Sequence, residues 1–184
     1  PSGCLGGGPA SLAPAVPGLT PVDALAPGAA PADAAPLHVS LSRTAPLAGR
    51  DVPALTDGLA GTLTGAEPAL PPGGFDLLLT SLAALANDEG TACFLTLAGG
   101  PPSPAFLAAV AAVDDAGALV GLPPFYPDPA PHVSFAWAPG GSAAALADME
   151  DAAIPAWTLP ITRIVCRVGK RGVVVWRARG GGRD

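Results

Sequence analysis

Histidine, tyrosine and methionine are almost missing from this chain, which holds two, one and one of them among 184 residues. Aromatic residues make up only 5% and charged residues only 13% of the sequence. The three cysteines, Cys4, Cys93 and Cys166, are odd in number and scattered, which argues against a disulfide framework and against a zinc site. We therefore expect no metal, no cofactor and a reducing intracellular compartment.

Long apolar runs are also missing, although 49% of the residues are hydrophobic. A membrane-spanning helix needs about 18 or more consecutive apolar residues. The best stretch, residues 104–113, is stopped by Asp114 and Asp115. A secretory signal begins with a basic flank followed by an apolar stretch. The first residues of this sequence do not show that pattern. We expect a protein without a membrane partner.

Glycine and proline are abundant instead, with 24 of each. Residues 1–36 are rich in these two and in alanine, with hardly any bulky apolar side chain, so burial there cannot offset the entropy lost on ordering. We predict a low-complexity, mostly irregular segment over residues 1–36. Residues 37–179 are predicted to form one domain, and residues 180–184 a flexible tail.

Hydrophobic periodicity divides the domain into alternating strands and helices. Strands are predicted at residues 37–42, 75–79, 93–97, 132–137, 158–168 and 173–178, and helices at residues 51–63, 104–119 and 142–153. The turn Gly169-Lys170-Arg171-Gly172 is a strong hairpin signal. The order of histidine strand, helix and strand pair recurs over about residues 37–100 and 130–179. This indicates an internal duplication, with two lobes whose histidine strands face one another across a cleft.

Both histidines of the chain begin the same tripeptide, His-Val-Ser, at His38 and at His132. On a strand, residues i and i+2 share a face, so each imidazole lies beside the hydroxyl of Ser40 or Ser134. RNA cleavage by its own 2′-hydroxyl needs one group that accepts a proton and one that donates a proton to the leaving oxygen. Imidazole does both near neutral pH, because its unperturbed pKa is about 6.5.

The two histidines also admit a structural role, a zinc site or a serine hydrolase as alternatives to an acid-base pair. A lone histidine on a strand is more often structural, but two identical contexts on two matching strands reverse that expectation. A zinc site would need further ligands, which the cysteine spacing does not supply. A serine hydrolase would need the nucleophile elbow Gly-x-Ser-x-Gly, which the sequence lacks. A metal-independent acid-base pair is the prediction that remains.

The net charge of −6 is very unevenly distributed. Residues 1–162 hold two basic side chains and 14 acidic ones, whereas residues 163–184 hold seven basic side chains and one acidic one. Phosphate binding needs basic groups that displace counterions. Lys170 and Arg171, at the predicted hairpin turn, are therefore candidates for attracting RNA. The alternative is an exposed hairpin whose charge serves solubility alone.

Two stretches resemble the signature strands of the U6 small nuclear RNA phosphodiesterase family, a branch of the 2H phosphoesterase superfamily. They are Leu37-His38-Val39-Ser40-Leu41-Ser42 and residues 125–137. The second is the more specific, because it extends beyond His-x-Ser into an aromatic-Tyr-x-Asp-Pro lead and an Ala-Trp tail. Residues 164–170 also resemble the closing hairpin of that family, so the resemblance covers about residues 37–178.

The resemblance implies an α+β, two-lobed 2H phosphoesterase fold, with two antiparallel sheets around a central cleft and helices on the outer faces. It implies a nuclear, monomeric 3′-to-5′ exonuclease that trims the oligouridine tail of U6 RNA and leaves a 2′,3′-cyclic phosphate. His38 and His132 would be catalytic, and Ser40 and Ser134 would bind phosphate. The implied nucleotide contacts are Tyr126, which meets the terminal nucleotide, and Asp128, Pro129, Ala130, Pro131 and Val133.

The sequence also departs from that family in two places. A further strand and helix are expected ahead of the first motif, and residues 1–36 do not resemble them. After Asn87, an amide and an arginine of the family are replaced by Asp88 and Ala92, which leaves Asp88 as a candidate nucleotide contact. Two alternatives stay open: another 2H activity, such as a cyclic phosphodiesterase or tRNA-fragment processing, and a non-catalytic RNA-end binder. Which histidine is the base also stays open.

Overall fold

The computed structural model describes residues 20–21, 37–140, 146 and 153–179. Of the predicted irregular segment over residues 1–36, only Thr20–Pro21 belongs to the described part of the chain. The predicted tail over residues 180–184 lies outside it. So does the helix predicted over residues 142–153, apart from Leu146, which is helical, and Ala153, which begins a strand.

Two α-helices form within the described residues, close to where the sequence predicts them. A short 3-10 helix, Gly49–Asp51, leads into α1, Val52–Gly65, whose buried leucines Leu55, Leu59 and Leu63 follow the helical period. The second helix, α2, spans Pro104–Ala118. It begins at Ser103, whose hydroxyl accepts a hydrogen bond from the Phe106 backbone amide at 3.2 Å. Neither helix is long and apolar enough to cross a membrane.

The described strands form two antiparallel sheets. In chain order they are β1 Thr20–Pro21, β2 Phe75–Ala86, β3 Ala92–Gly99, β4 His132–Pro139, β5 Ala153–Ile161, β6 Arg163–Val168 and β7 Arg171–Arg177. The larger sheet has the order β1-β4-β3-β2-β5, and β6 pairs with β7 in the smaller one. The predicted α+β class with two antiparallel sheets is therefore confirmed.

Several strands differ from their predicted bounds for physical reasons. The strand β2 runs on past a bulge between Leu79 and Ser81, through alanines that carry little strand preference of their own. Pairing with β3 as far as Ala86 holds this part of the strand extended, whereas the pairing with β5 ends at Ser81. The single strand predicted over residues 158–168 divides at Thr162, and its halves enter different sheets. The strand predicted over residues 37–42 is reduced to one bridge, from Val39 to Val133.

The larger sheet combines strands from both predicted repeats. Strands β2 and β3 come from residues 37–100, and strands β4 and β5 come from residues 130–179. Residues Leu97 and Val133, one from each repeat, are direct neighbours across β3 and β4. The histidine strand of the second repeat thus lies inside a sheet shared by the two halves of the chain.

The helix α2 packs against both α1 and the larger sheet. Its small residues Ala109 and Ala116 join a core with the leucines of α1 and with Trp176 of β7. On another side of the helix, Phe106 and Val110 pack with Leu77 of β2. The Thr62 hydroxyl of α1 also donates a hydrogen bond to the Ala112 carbonyl of α2 at 2.7 Å. This core supports the sheet that carries His132.

Candidate functional site

The two His-Val-Ser tripeptides lie side by side. An antiparallel bridge joins Val39 to Val133 at the edge of β4 that β3 does not occupy. The register centred on this bridge sets His38 beside Ser134 and Ser40 beside His132. The predicted partnership of the tripeptides is thus found as direct pairing of neighbouring segments, in place of two strands facing each other across a gap.

The valines and the polar residues of the tripeptides occupy opposite faces. Val133 is buried, and the half-buried Val39 packs on the cluster around Phe106. Because side chains alternate along extended backbone, His38, Ser40, His132 and Ser134 all lie on the face turned away from those valines. Directly opposite residues have Cβ atoms about 5 Å apart, and diagonal ones roughly 7 Å. The two imidazoles are on a diagonal, which leaves room for one phosphate group between them.

A backbone hydrogen bond orients the ring of His132. Its Nδ1 lies 2.9 Å from the carbonyl oxygen of Ala130. A carbonyl can only accept, so Nδ1 carries the proton, and in the neutral ring Nε2 keeps its lone pair. The ring can therefore take up a proton at Nε2 or, once charged, release one there, without turning over. This arrangement suits either the base or the acid of the reaction.

The loop ahead of His132 is fixed at its end by Gly99 of β3. The Gly99 amide donates a hydrogen bond to the Pro131 carbonyl at 2.8 Å, and Pro131 itself is buried. A Cβ atom added at Gly99 would lie only 2.9 Å from Cγ of Pro131. Glycine is thus required for this close approach, which holds the Ala130 carbonyl where it meets His132.

Tyr126 and Asp88, both predicted as nucleotide contacts, are brought together at the tip of the β2–β3 hairpin. The Tyr126 hydroxyl donates a hydrogen bond to Oδ1 of Asp88 at 2.9 Å. This bond raises the pKa of the phenol above its ordinary value. Partial desolvation and the negative charge of Asp88 raise that pKa further, whereas the nearby charge of Arg43 lowers it.

Arg43 completes this cluster. Its guanidinium carbon lies 4.1 Å from the centroid of the Tyr126 ring, a cation–π arrangement, and its Nη1 lies 3.7 Å from Oδ2 of Asp88. The rings of Phe125 and Tyr126 pack in a T-shaped arrangement with centroids 5.0 Å apart. We name the set of Arg43, Asp88 and Tyr126 the arginine–tyrosine cluster.

The remaining predicted nucleotide contacts follow the chain from this cluster to the histidine. Asp128 and Ala130 are exposed, Pro129 is half-buried, and Pro131 and Val133 are buried. Pro131 and Val133 therefore act as supports of the site, while Ala130 reaches His132 through its carbonyl. The loop directly connects the arginine–tyrosine cluster with the tripeptides.

Lys170 and Arg171 lie at the turn of the β6–β7 hairpin, which forms a different sheet from the one that contains β4 and His132. Gly169 takes a positive φ of 58° there, as the predicted turn requires. Both cations are exposed, and neither forms an ion pair within the described residues. Arg163 and Arg177 are direct cross-strand neighbours on the same hairpin and are also exposed. No acidic side chain in the described part of the chain forms an ion pair with either of them.

Sequence reasoning missed Arg43 and Gly99 as site residues. Arg43 follows Ser40 by three positions, and it is one of two basic residues ahead of Arg163. Residues 1–162 contain so few basic side chains that an arginine close to the first tripeptide could have been predicted as a site residue. For Gly99 no comparable signal exists, because glycine is abundant throughout the chain and only the register of β3 shows which glycine meets Pro131.

No curated protein matches this chain. A family model described as HVSL, uncharacterised conserved protein, matches residues 19–173. The matched segment contains both tripeptides and the arginine–tyrosine cluster, and His38-Val39-Ser40-Leu41 spells the family name. Because the match extends over most of the chain, this protein belongs to the HVSL family of uncharacterised conserved proteins.

Proposed function

We propose that the protein is a metal-independent RNA phosphodiesterase that shortens RNA from its 3′ end. The observation that carries the proposal is the bridge between Val39 and Val133, which sets the two His-Val-Ser tripeptides side by side. One imidazole accepts the proton of the 2′-hydroxyl, and the other protonates the leaving 5′-oxygen. The product is a 2′,3′-cyclic phosphate at the new RNA end.

The two serines supply the hydrogen bonds that this chemistry needs. Ser40 and Ser134 lie beside His132 and His38 in the register of the bridge, so each hydroxyl can donate to a non-bridging phosphate oxygen. Donors aimed at the charge that develops on the phosphoryl oxygens stabilise the transition state. A binding module alone would have no need for two imidazoles on one face, which favours an enzyme over a passive RNA-end binder.

The finer parts of the proposal rest on the family resemblance of the signature strands. They are the two-lobed 2H phosphoesterase arrangement, the oligouridine tail of U6 small nuclear RNA as substrate, monomeric action, and work in the nucleus. Tyr126 is proposed to stack on the terminal base, since a base on an aromatic ring gains about 1 to 3 kcal/mol. Lys170 and Arg171 are proposed to attract the RNA phosphates, with Arg163 and Arg177 adding to the same field.

The experiment is an incubation of the full chain with a 3′-oligouridylated RNA in the presence of EDTA. Stepwise shortening with cyclic-phosphate ends, lost in His38→Ala and in His132→Ala, supports the proposal. Binding without shortening would favour the RNA-end binder, and cleavage that needs added metal would contradict the mechanism. A matched RNA ending in oligoadenosine tests the uridine preference, and a 2′,3′-cyclic nucleotide tests the cyclic phosphodiesterase alternative.

A further inference from the structure

Arg43 is a half-buried cation, with a side chain that is 31% exposed. Its Nε atom is buried and has no hydrogen-bond partner among the described residues. The 3.7 Å between its Nη1 and Oδ2 of Asp88 exceeds the N–H···O distance of a hydrogen bond, about 2.7 to 3.2 Å. Buried donors are normally paired, so an arginine with an unpaired donor in this position calls for an explanation.

The neighbours of Arg43 hold its guanidinium in place without using those donors. Tyr126 supports one face of the guanidinium through a cation–π contact, which needs no N–H group. Asp88 attracts the cation, but its Oδ1 already accepts the Tyr126 hydroxyl. The guanidinium is therefore positioned, partly desolvated and still able to bind a further acceptor.

A phosphate is the acceptor that fits the place and the chemistry. Arg43 follows Ser40 by three residues, so their Cα atoms are at most about 11 Å apart, and the long arginine side chain bridges much of that distance. A guanidinium presents a planar fork of donors that matches two phosphate oxygens at once. Arg50, the only other basic residue ahead of Arg163, has a side chain that is 87% exposed.

We propose that Arg43 binds a phosphate of the RNA 3′ end, next to the group held by Ser40, with Tyr126 and Asp88 as its positioning residues. This inference rests on the proposed function, because it takes RNA as the substrate of the same site. It gives the acidic chain a local cation at the site, independent of the basic β6–β7 hairpin. It also couples recognition of the terminal base, at Tyr126, to recognition of a phosphate.

The test measures the affinity for a short oligouridine RNA over a range of salt concentrations, in a His132→Ala background that prevents turnover. Adding Arg43→Met, which keeps an unbranched apolar stem, should weaken binding at least 10-fold and reduce the slope of log affinity against log salt by about 0.7. Arg43→Lys should restore the slope but not the full affinity, because a single ammonium cannot bind bidentately. Arg50→Met is the matched control, with the slope and affinity of the parent.

The outcomes separate the two levels of the proposal. If the His132→Ala parent does not bind RNA, the proposed function itself fails. If the parent binds and Arg43→Met changes neither the affinity nor the slope, the phosphate contact of Arg43 is refuted. Weaker binding with an unchanged slope would also overturn it, because loss of Tyr126 stacking alone leaves the salt dependence intact. If Arg43→Met does not fold, Arg43→Lys still tests the contact, because its affinity should fall while its salt slope stays that of the parent.

Discussion

Replacement of Gly99 by alanine would test how β3 positions His132. The added Cβ would lie 2.9 Å from Pro131 Cγ, 3.1 Å from the Leu78 carbonyl oxygen and 3.3 Å from the Pro131 carbonyl oxygen. Pro131 is buried and its ring is rigid, so it cannot rotate out of the way. Gly99 does not have a positive φ, so alanine meets no backbone strain. The effect of Gly99→Ala therefore comes from the close contact of the added Cβ with Pro131 and Leu78.

The expected effect is larger on catalysis than on folding. Overpacking of this kind costs about 1 to 3 kcal/mol of unfolding free energy. Relief of the contact has to move Pro131, which follows the carbonyl of Ala130 that holds His132 Nδ1. A displacement of about 1 Å at reacting groups can cost roughly 10²-fold in rate. We therefore expect kcat to fall by about one to two orders of magnitude while the protein stays folded.

The assay pairs urea unfolding with RNA cleavage for Gly99→Ala and for Gly100→Ala. Gly100 is the neighbouring control, since no atom of the described residues lies within 4 Å of a Cβ added there. Its variant should match the wild type in both measurements. An active Gly99→Ala protein with wild-type kcat and wild-type stability would refute the reasoning. It would mean that the Gly99–Pro131 contact does not govern the placement of His132.

Three further predictions concern the cluster, the hairpin and the core. Tyr126 is the only tyrosine, so the absorbance of phenolate follows the titration of a single group. The midpoint of this titration should lie above pH 10 in the wild type. It should fall in Asp88→Ala, because the hydrogen bond that raises the pKa of Tyr126 is lost. The double variant Lys170→Ala/Arg171→Ala should flatten the salt dependence of RNA binding by about 1.4 in slope, about 0.7 for each phosphate contact. Thr62→Val should lower the unfolding free energy by about 1 kcal/mol in urea, because it removes the hydroxyl bond between the helices.

Each of these predictions has its own control and its own contradicting result. If the titration midpoint of Tyr126 stays the same or rises in Asp88→Ala, the hydrogen bond from Tyr126 to Asp88 does not raise the pKa of Tyr126. Arg50→Ala should leave the salt slope unchanged, and an unchanged slope in the double variant would make the hairpin charge irrelevant to RNA. Thr56→Val should cost under about 0.5 kcal/mol, because among the described residues the Thr56 hydroxyl bonds to carbonyls of its own helix turn alone. A loss in Thr62→Val no larger than the loss in Thr56→Val would mean that the hydrogen bond from Thr62 to Ala112 does not contribute to stability.

Local signals allowed the helices and one hairpin to be predicted from the sequence. Pro104 marks the start of α2, and the turn at Gly169 sets the two strands around it. The length of β2 was not predictable, because its alanine-rich end is held extended by pairing with β3, a contact that no local sequence window contains. The division at Thr162 likewise depends on two sheets whose packing no short window of sequence contains.

The candidate site shows the same division between local and tertiary information. His38 and His132 could be singled out because each begins the same tripeptide. Their side-by-side pairing depends on the bridge from Val39 to Val133, which joins residues almost a hundred positions apart. The closeness of Arg43 to the first tripeptide could have marked it, but its contact with Tyr126 arises only from the folded chain.

The most direct test of the central claim compares two matched oligouridine RNAs in EDTA, one with a 5′-oxygen and one with a 5′-sulfur as the leaving atom. On the oxygen substrate, His38→Ala and His132→Ala should each lose about 10²-fold or more of the cleavage rate. A sulfur leaving group needs no protonation, so it should restore the variant that lacks the general acid and leave the variant that lacks the base slow. Near wild-type cleavage of the oxygen substrate by either variant, or restoration of neither by sulfur, would contradict acid-base catalysis by this pair.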